Sequence, residues 1–310
     1  MKKIICATLI ISLIFCSCAK RRETVQGFAM DTVINITVNS KDKPFAEKAL
    51  SICREQEKIF SRTNDESELS KVNNGEMPRG ELKKVIDFAF SVSEKSGGAF
   101  DATVKPLSDL WNFKERTVPP TEDEISDALK NVGYKKVNIE NFDLGGTSLD
   151  LGAIAKGYTA DKICEYFKEQ GVNNAIIDLG GNVYVLGEFT VGIRNPFEPE
   201  KAFAKINLKD KSAVTSGTYQ RYFEYDGKKY HHIMDAKTGY PARSGIASVT
   251  VISPSSMVAD ALSTAIFVMG EKGISLCGSF ADTDCFIIME DGSTKATVGF
   301  ENKYNLKLIK

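Results

Sequence analysis

The chain has 310 residues, 26% of them charged and 42% hydrophobic, with a formal net charge of −1. That balance gives no compositional support for nucleic-acid binding, and the only histidines, His231 and His232, are too few for a multi-histidine metal site. The length allows a large core in one or two lobes.

Lys2 and Lys3 precede an apolar run from Ile4 to Phe15, too short to span a bilayer but matching a signal-peptide core. The run ends in Phe15-Cys16-Ser17-Cys18, which predicts cleavage before Cys18 and lipid attachment to it. The expectation is a cell-envelope lipoprotein on the inner membrane facing the periplasm, with an ordinary cleaved signal as the other reading. Residues 18–29 then read as a charged tether. Residues 32–38 alternate and are rich in β-branched side chains, which predicts a strand.

Helical spacing covers residues 46–60 and recurs at Leu82, Val85, Ile86, Ala89 and Phe90, with Gly97-Gly98 as a stop. Thr121 and Glu124 form a capping box that opens a short helix burying Ile125, Ala128, Leu129 and Val132. Short strands follow at 136–139, 175–179, 182–186, 190–194, 202–208 and 221–225, then at 248–252, 285–290 and 295–299. Helices at 154–170 and 257–269 interrupt them and end at Gly171 and Gly270. Without a regular strand–helix–strand rhythm, the pattern predicts an α+β fold of helices and mostly antiparallel strands. A helical front (about 40–133) and a strand-rich back (about 134–310) would form two lobes around one cleft. Cys53, Cys164, Cys277 and Cys285 lie in apolar contexts and read as buried thiols.

Five stretches carry candidate chemistry. In Leu149-Asp-Leu-Gly-Ala-Ile-Ala-Lys-Gly-Tyr158, Lys156 is flanked by Ala155 and Gly157, so the phosphate-loop pattern fails. Small residues there would still admit a ligand close to the backbone, and a helix from Ile154 would aim N–H groups at an anion beside Lys156. A tight turn kept small for packing is the simpler alternative. Gly97-Gly-Ala-Phe-Asp101 and Asp178-Leu-Gly-Gly-Asn182 are two more glycine turns with an acid. Thr215-Ser-Gly-Thr-Tyr219, followed by His231-His-Ile-Met-Asp235 and Gly239, gathers hydroxyls, both histidines and a carboxylate. Asp260 and Thr264 stand one helical turn apart, which suits an oxygen-preferring cation such as Mg²⁺. An acid near a helix N-terminus is also favoured by the helix dipole alone.

Taken in order, these stretches resemble the FAD:protein FMN transferase (ApbE-like) family. The resemblance runs from about Met30 to Gly270 and includes Met30-Asp-Thr32, Phe60-Ser61, Ser67-Glu-Leu-Ser70, Asn73 and Gly97-Gly-Ala-Phe-Asp-Ala-Thr103. It also includes the Leu149 to Tyr158, Asp178 to Asn182, Thr215 to Gly217, His232 to Asp235 and Asp260 to Thr264 motifs. It implies an ApbE-like fold and an enzyme that cleaves FAD with Mg²⁺, releases AMP and attaches FMN to a threonine of an acceptor redox protein. Carried over by position, Met30, Ala99, Phe100, Asp101, Asp150, Lys156 and His232 would touch FAD. The Ala153 carbonyl, Asp260 and Thr264 would hold the metal. A second acidic ligand of some relatives falls on Ser263. The base would be His232 or Asp235. Many relatives carry an aromatic in the segment that is here Arg62-Thr-Asn-Asp-Glu66. This departure keeps a hydrolytic FAD pyrophosphatase open as the alternative, with a non-catalytic flavin-binding lipoprotein as a third reading.

Overall fold

The computed structural model describes residues 21–40 and 44–309. The signal segment 1–17 and Cys18 lie outside them.

Two strands, β1 (Arg21–Ala29) and β2 (Thr32–Ser40), form a hairpin in perfect register, with Ala29 opposite Thr32. The stretch expected as a tether is thus a strand from Arg21 onward. Its polar sequence fits a sheet edge, where one row of side chains faces water. The chain then enters five helices: α1 (Phe45–Phe60), α2 (Glu68–Asn73), α3 (Gly80–Lys95), α4 (Lys105–Trp111) and α5 (Glu122–Leu129). The stripe of α1 buries Ala46, Ala49, Cys53 and Phe60, and that of α3 buries Leu82, Val85, Ile86 and Ala89. The capping box of α5 is formed: Thr121 Oγ1 accepts from the Glu124 N–H at 3.2 Å, and the Glu124 carboxylate accepts from the Thr121 N–H at 2.7 Å. In place of the strand expected at 136–139, a single 3-10 turn, Tyr134–Lys136, runs into an isolated bridge between Asn138 and Asp143.

Helix α6 (Ala155–Glu169) leads into β3 (Ala175–Leu179), β4 (Asn182–Arg194) and β5 (Ala202–Gly217). β4 unites two strands that were expected separately, through a register shift between Val185 and Glu188. β6 (Tyr222–Tyr225) and β7 (Lys228–His231) make a separate two-stranded sheet. β8 (Ile246–Ser253), α7 (Ser256–Met269), a 3-10 segment (Glu271–Ser279), β9 (Asp284–Met289), β10 (Thr294–Ala296), α8 (Phe300–Tyr304) and β11 (Lys307–Leu308) complete the chain. The main sheet is antiparallel in the order β1-β2-β3-β4-β5-β8-β9-β10, with β11 on β5.

The front helices and the back sheet are not separate cores. Leu82 and Phe90 of α3 lie in one apolar cluster with Leu262 of α7 and Val249 and Val251 of β8. Cys53, Cys164, Cys277 and Cys285 are buried free thiols, as expected. Among the described residues, no helix is long and apolar enough to cross a membrane.

Candidate active site

Two buried helices meet where the candidate metal residues stand. A Cβ on Gly157 of α6 would come within 2.3 Å of the Ser256 carbonyl oxygen and 2.7 Å of the Asp260 Cβ. Only glycine allows this approach, and it lets the Gly157 N–H donate to Asp260 Oδ2 at 2.9 Å. Asp161 fixes the other end of the seam. Its carboxylate accepts from the N–H groups of Ser256 (2.6 Å) and Met257 (3.0 Å), capping α7. Burial raises the Asp161 pKa above the usual carboxylate value, against the pull of these donors.

The seam opens into a cavity of about 1050 Å³, large enough for a dinucleotide-sized ligand. Asp260 and Thr264 line it together, as the helical spacing predicts, and Ala153 from the loop before α6 and Lys156 from its first turn line it too. Ser216 joins this corner, its Oγ lying 3.4 Å from Thr264 Oγ1 and 2.8 Å from Ser263 Oγ. Ser263 is fully buried, and its hydroxyl donates to the Asp260 carbonyl at 2.9 Å. It is packed rather than presented. Among the described residues, no group of three or more His, Cys, Asp or Glu side chains could form a metal cluster. One carboxylate with hydroxyl and carbonyl neighbours is the donor set expected of Mg²⁺, which keeps waters and takes further oxygens from substrate phosphates.

The loop before α6 departs from the expected anion cradle. The N–H groups of Ile154 (3.0 Å) and Ala155 (2.9 Å) donate to the Leu151 carbonyl, and that of Gly157 goes to Asp260. These three donors are taken up within the protein, and Lys156 brings a cation to the cavity beside them, its Nζ resting 3.0 Å from the Gly152 carbonyl oxygen. Asp150 also has both oxygens engaged. Oδ1 accepts from the Gly152 N–H at 2.8 Å, and Oδ2 lies 3.3 Å from Arg62 Nε. Asn73 holds the same loop from α2, its amide bonding both the N–H (2.7 Å) and the carbonyl (3.0 Å) of Leu149.

Ala99, Phe100 and Asp101 line the cavity behind the left-handed Gly97 and Gly98. The Asp101 carboxylate accepts from the N–H of Thr103 at 2.8 Å and of Tyr134 at 2.9 Å, so it fixes the loop while the backbone faces the cavity. Met30 lines the cavity from the β1–β2 turn, where Met30 (φ 52) and Asp31 (φ 59) are both left-handed. Glu57 accepts from the Met30 N–H at 2.9 Å, Lys114 pairs with Asp31 at 2.8 Å, and Arg221 donates to the Asp31 carbonyl at 2.8 Å. These contacts hold a turn that costs roughly 1–2 kcal/mol per non-glycine residue.

His232 lines the cavity, and its Nδ1 has no hydrogen-bond partner. Burial, with Arg221, His231 and Lys156 nearby, lowers its pKa to about 3, so the ring is neutral near pH 7. Asp235 does not line the cavity with it. Its Oδ1 accepts from the Lys237 N–H at 2.9 Å, and its carbonyl accepts from the Gly239 N–H at 2.8 Å. Asp235 therefore shapes the turn before Gly239 and leaves His232 as the candidate base. Arg62 lines the cavity from the segment where many relatives carry an aromatic, and Glu57, Lys114 and Arg221 join it without motif spacing, so only the fold brings them together.

The sequence profile of the ApbE family matches residues 30–287. A FAD:protein FMN transferase of Treponema pallidum is 34% identical, aligned over 91% of this chain and 88% of its own length. One from Klebsiella pneumoniae is 35% identical over 84% of this chain and 87% of its own. Among solved structures, the ApbE protein of Thermotoga maritima superposes with a TM-score of 0.81 at 34% identity, covering 91% of this chain and 99% of that one. The flavin transferase ApbE of Vibrio cholerae superposes with a TM-score of 0.79 at 26% identity, with the same coverage.

Proposed function

The chain belongs to the ApbE family, and we propose that it is a Mg²⁺-dependent flavin transferase that moves FMN from FAD to a threonine of an acceptor protein. The observation that carries this reading is the convergence of Asp260, Thr264, Ala153, Lys156 and His232 on one cavity.

Asp260, Thr264 and the Ala153 carbonyl would hold Mg²⁺, which when bound neutralises pyrophosphate charge and polarises the phosphorus. Lys156 adds a fixed cation against the same charge. Ala99, Phe100 and Met30 bring backbone and apolar surface to the ligand, while Asp101 and Asp150 act by fixing the loops that do so. The acceptor oxygen attacks the FMN phosphorus, the bond to the AMP oxygen breaks, and the hydroxyl proton passes to His232. The ring is neutral near pH 7, the state a base requires.

The test is incubation with FAD, Mg²⁺ and an acceptor domain, followed by mass measurement of the acceptor. A gain of one FMN residue is expected. FAD consumed with an unchanged acceptor would replace the reading by FAD pyrophosphatase, and FAD left intact would leave only flavin binding. Asp260→Ala is expected to abolish turnover. The lipoprotein reading rests on the sequence around Cys18 alone. Its test is loss of membrane fractionation in Cys18→Ser.

A further inference from the structure

A second cavity of about 390 Å³ stands back to back with the first. The two share their walls. His231 faces the second cavity and His232 the first, Thr218 the second and Tyr219 the first, Pro196 and Phe197 the second and Arg194 the first. Part of this division falls where strands end, since Thr218 and Tyr219 follow β5 and His232 follows β7. The rest is the loop between β4 and β5. Asn195 ties that loop to itself, accepting from the Phe197 N–H at 3.0 Å and donating its own N–H to the Lys201 carbonyl at 3.0 Å.

The second cavity has the character of a docking site for a polypeptide. Phe197 is 51% exposed at its edge, with Pro196, Pro241 and Ala242 alongside. A lone exposed aromatic needs no explanation, but this one borders a concavity that carries two cations. Lys229 and Arg243 line the cavity, and neither forms an ion pair among the described residues. Lys229 instead lies over the Tyr222 ring at 4.1 Å, and Arg243 lies 5.9 Å from the Tyr230 ring. Glu290 is the only carboxylate among the lining residues. An aromatic and an arginine in a pocket are common anchors of protein interfaces. Two cations against one carboxylate, neither cation in an ion pair among the described residues, favour a partner carrying negative charge.

We propose that this cavity docks the acceptor protein, taking an acidic and an apolar side chain near the target hydroxyl while the hydroxyl itself enters the main cavity. The partner then straddles the loop between Asn195 and Lys201. The proposal rests on the reading that this chain modifies a protein. It adds where that protein is held and which chemistry it presents.

The test uses the full enzyme, FAD, Mg²⁺ and a purified acceptor domain that the Vibrio cholerae relative flavinylates, with that relative as positive control. Three enzymes are compared: wild type, Lys229→Gln/Arg243→Gln and Lys229→Glu/Arg243→Glu. FAD consumption without acceptor is measured in parallel and should stay at the wild-type rate, which also reports folding. For transfer, the Gln pair should lower kcat/KM for acceptor by about tenfold and the Glu pair further, with a weaker salt dependence. Replacing acids beside the acceptor threonine by amides should reproduce the loss in wild type and add little in the Gln pair. Equal transfer by all three enzymes would overturn the docking site and leave the transferase standing. FAD consumption by wild type without transfer, while the control transfers, would overturn both. Loss of binding to anionic vesicles with transfer unchanged would assign the cations to a membrane surface and overturn the proposal.

Discussion

Gly157→Ala tests whether the α6–α7 seam builds the metal corner. The added methyl would meet the Ser256 carbonyl oxygen at 2.3 Å and the Asp260 Cβ at 2.7 Å, both parts of a buried helix with little freedom to move. Overpacking of this kind costs about 1–3 kcal/mol. Opening the seam to relieve it breaks the 2.9 Å bond from the Gly157 N–H to Asp260, a charge-assisted bond worth about 1.5–3 kcal/mol. Alanine recovers about 1 kcal/mol of helix propensity. The net expectation is a loss of about 2–5 kcal/mol, read as a urea midpoint lower by about 1 M if m lies near 3 kcal/mol/M. FAD turnover should fall with it, because Asp260 moves. Asp260→Asn is the partner experiment. Its amide oxygen can still accept from Gly157, so the midpoint should hold while the Mg²⁺ requirement rises steeply. A Gly157→Ala protein with wild-type midpoint and turnover would refute the seam argument.

Three further outcomes are expected. Asn73→Ala removes both bonds to Leu149 and should raise the KM for FAD severalfold, with a loss of about 1–3 kcal/mol in chemical denaturation. Gly180→Ala places a methyl 1.9 Å from Thr32 Oγ1 at a φ of +68°; it should destabilise by about 2–4 kcal/mol, and Thr32→Ala in the same chain should restore only the steric part on thermal melting. Burial lowers the His231 pKa from 6.5 to about 4, so between those values the unfolded chain holds the extra proton. Stability should therefore fall as pH falls through that window, by up to about 1.4 kcal/mol per pH unit. His231→Gln should flatten this slope in melts taken across the range, and an unchanged slope would remove His231 as its source.

Much of the local structure was legible in the sequence because its causes are local. Apolar spacing located α1, α3, α6 and α7, the Thr121–Glu124 pair marked the start of α5, and the Asp260–Thr264 interval placed two oxygens on one face of α7. The family motifs carried the identity of the cavity, since each supplies a turn or a side chain whose chemistry does not depend on its neighbours. Other features depended on what lies across space. β1 read as a polar tether because an edge strand needs few apolar residues, and only its pairing with β2 defines it. Asp235 and His232 stood equal as bases three residues apart, until the fold turned one carboxylate into a turn and left one imidazole facing the cavity. The amides of the Leu149 to Tyr158 stretch looked open to an anion, but Leu151 and Asp260 accept from those of Ile154, Ala155 and Gly157. Residue types and short-range geometry are written along the chain. Which donors remain free, and which charges meet across the cavity, is decided only when distant segments pack.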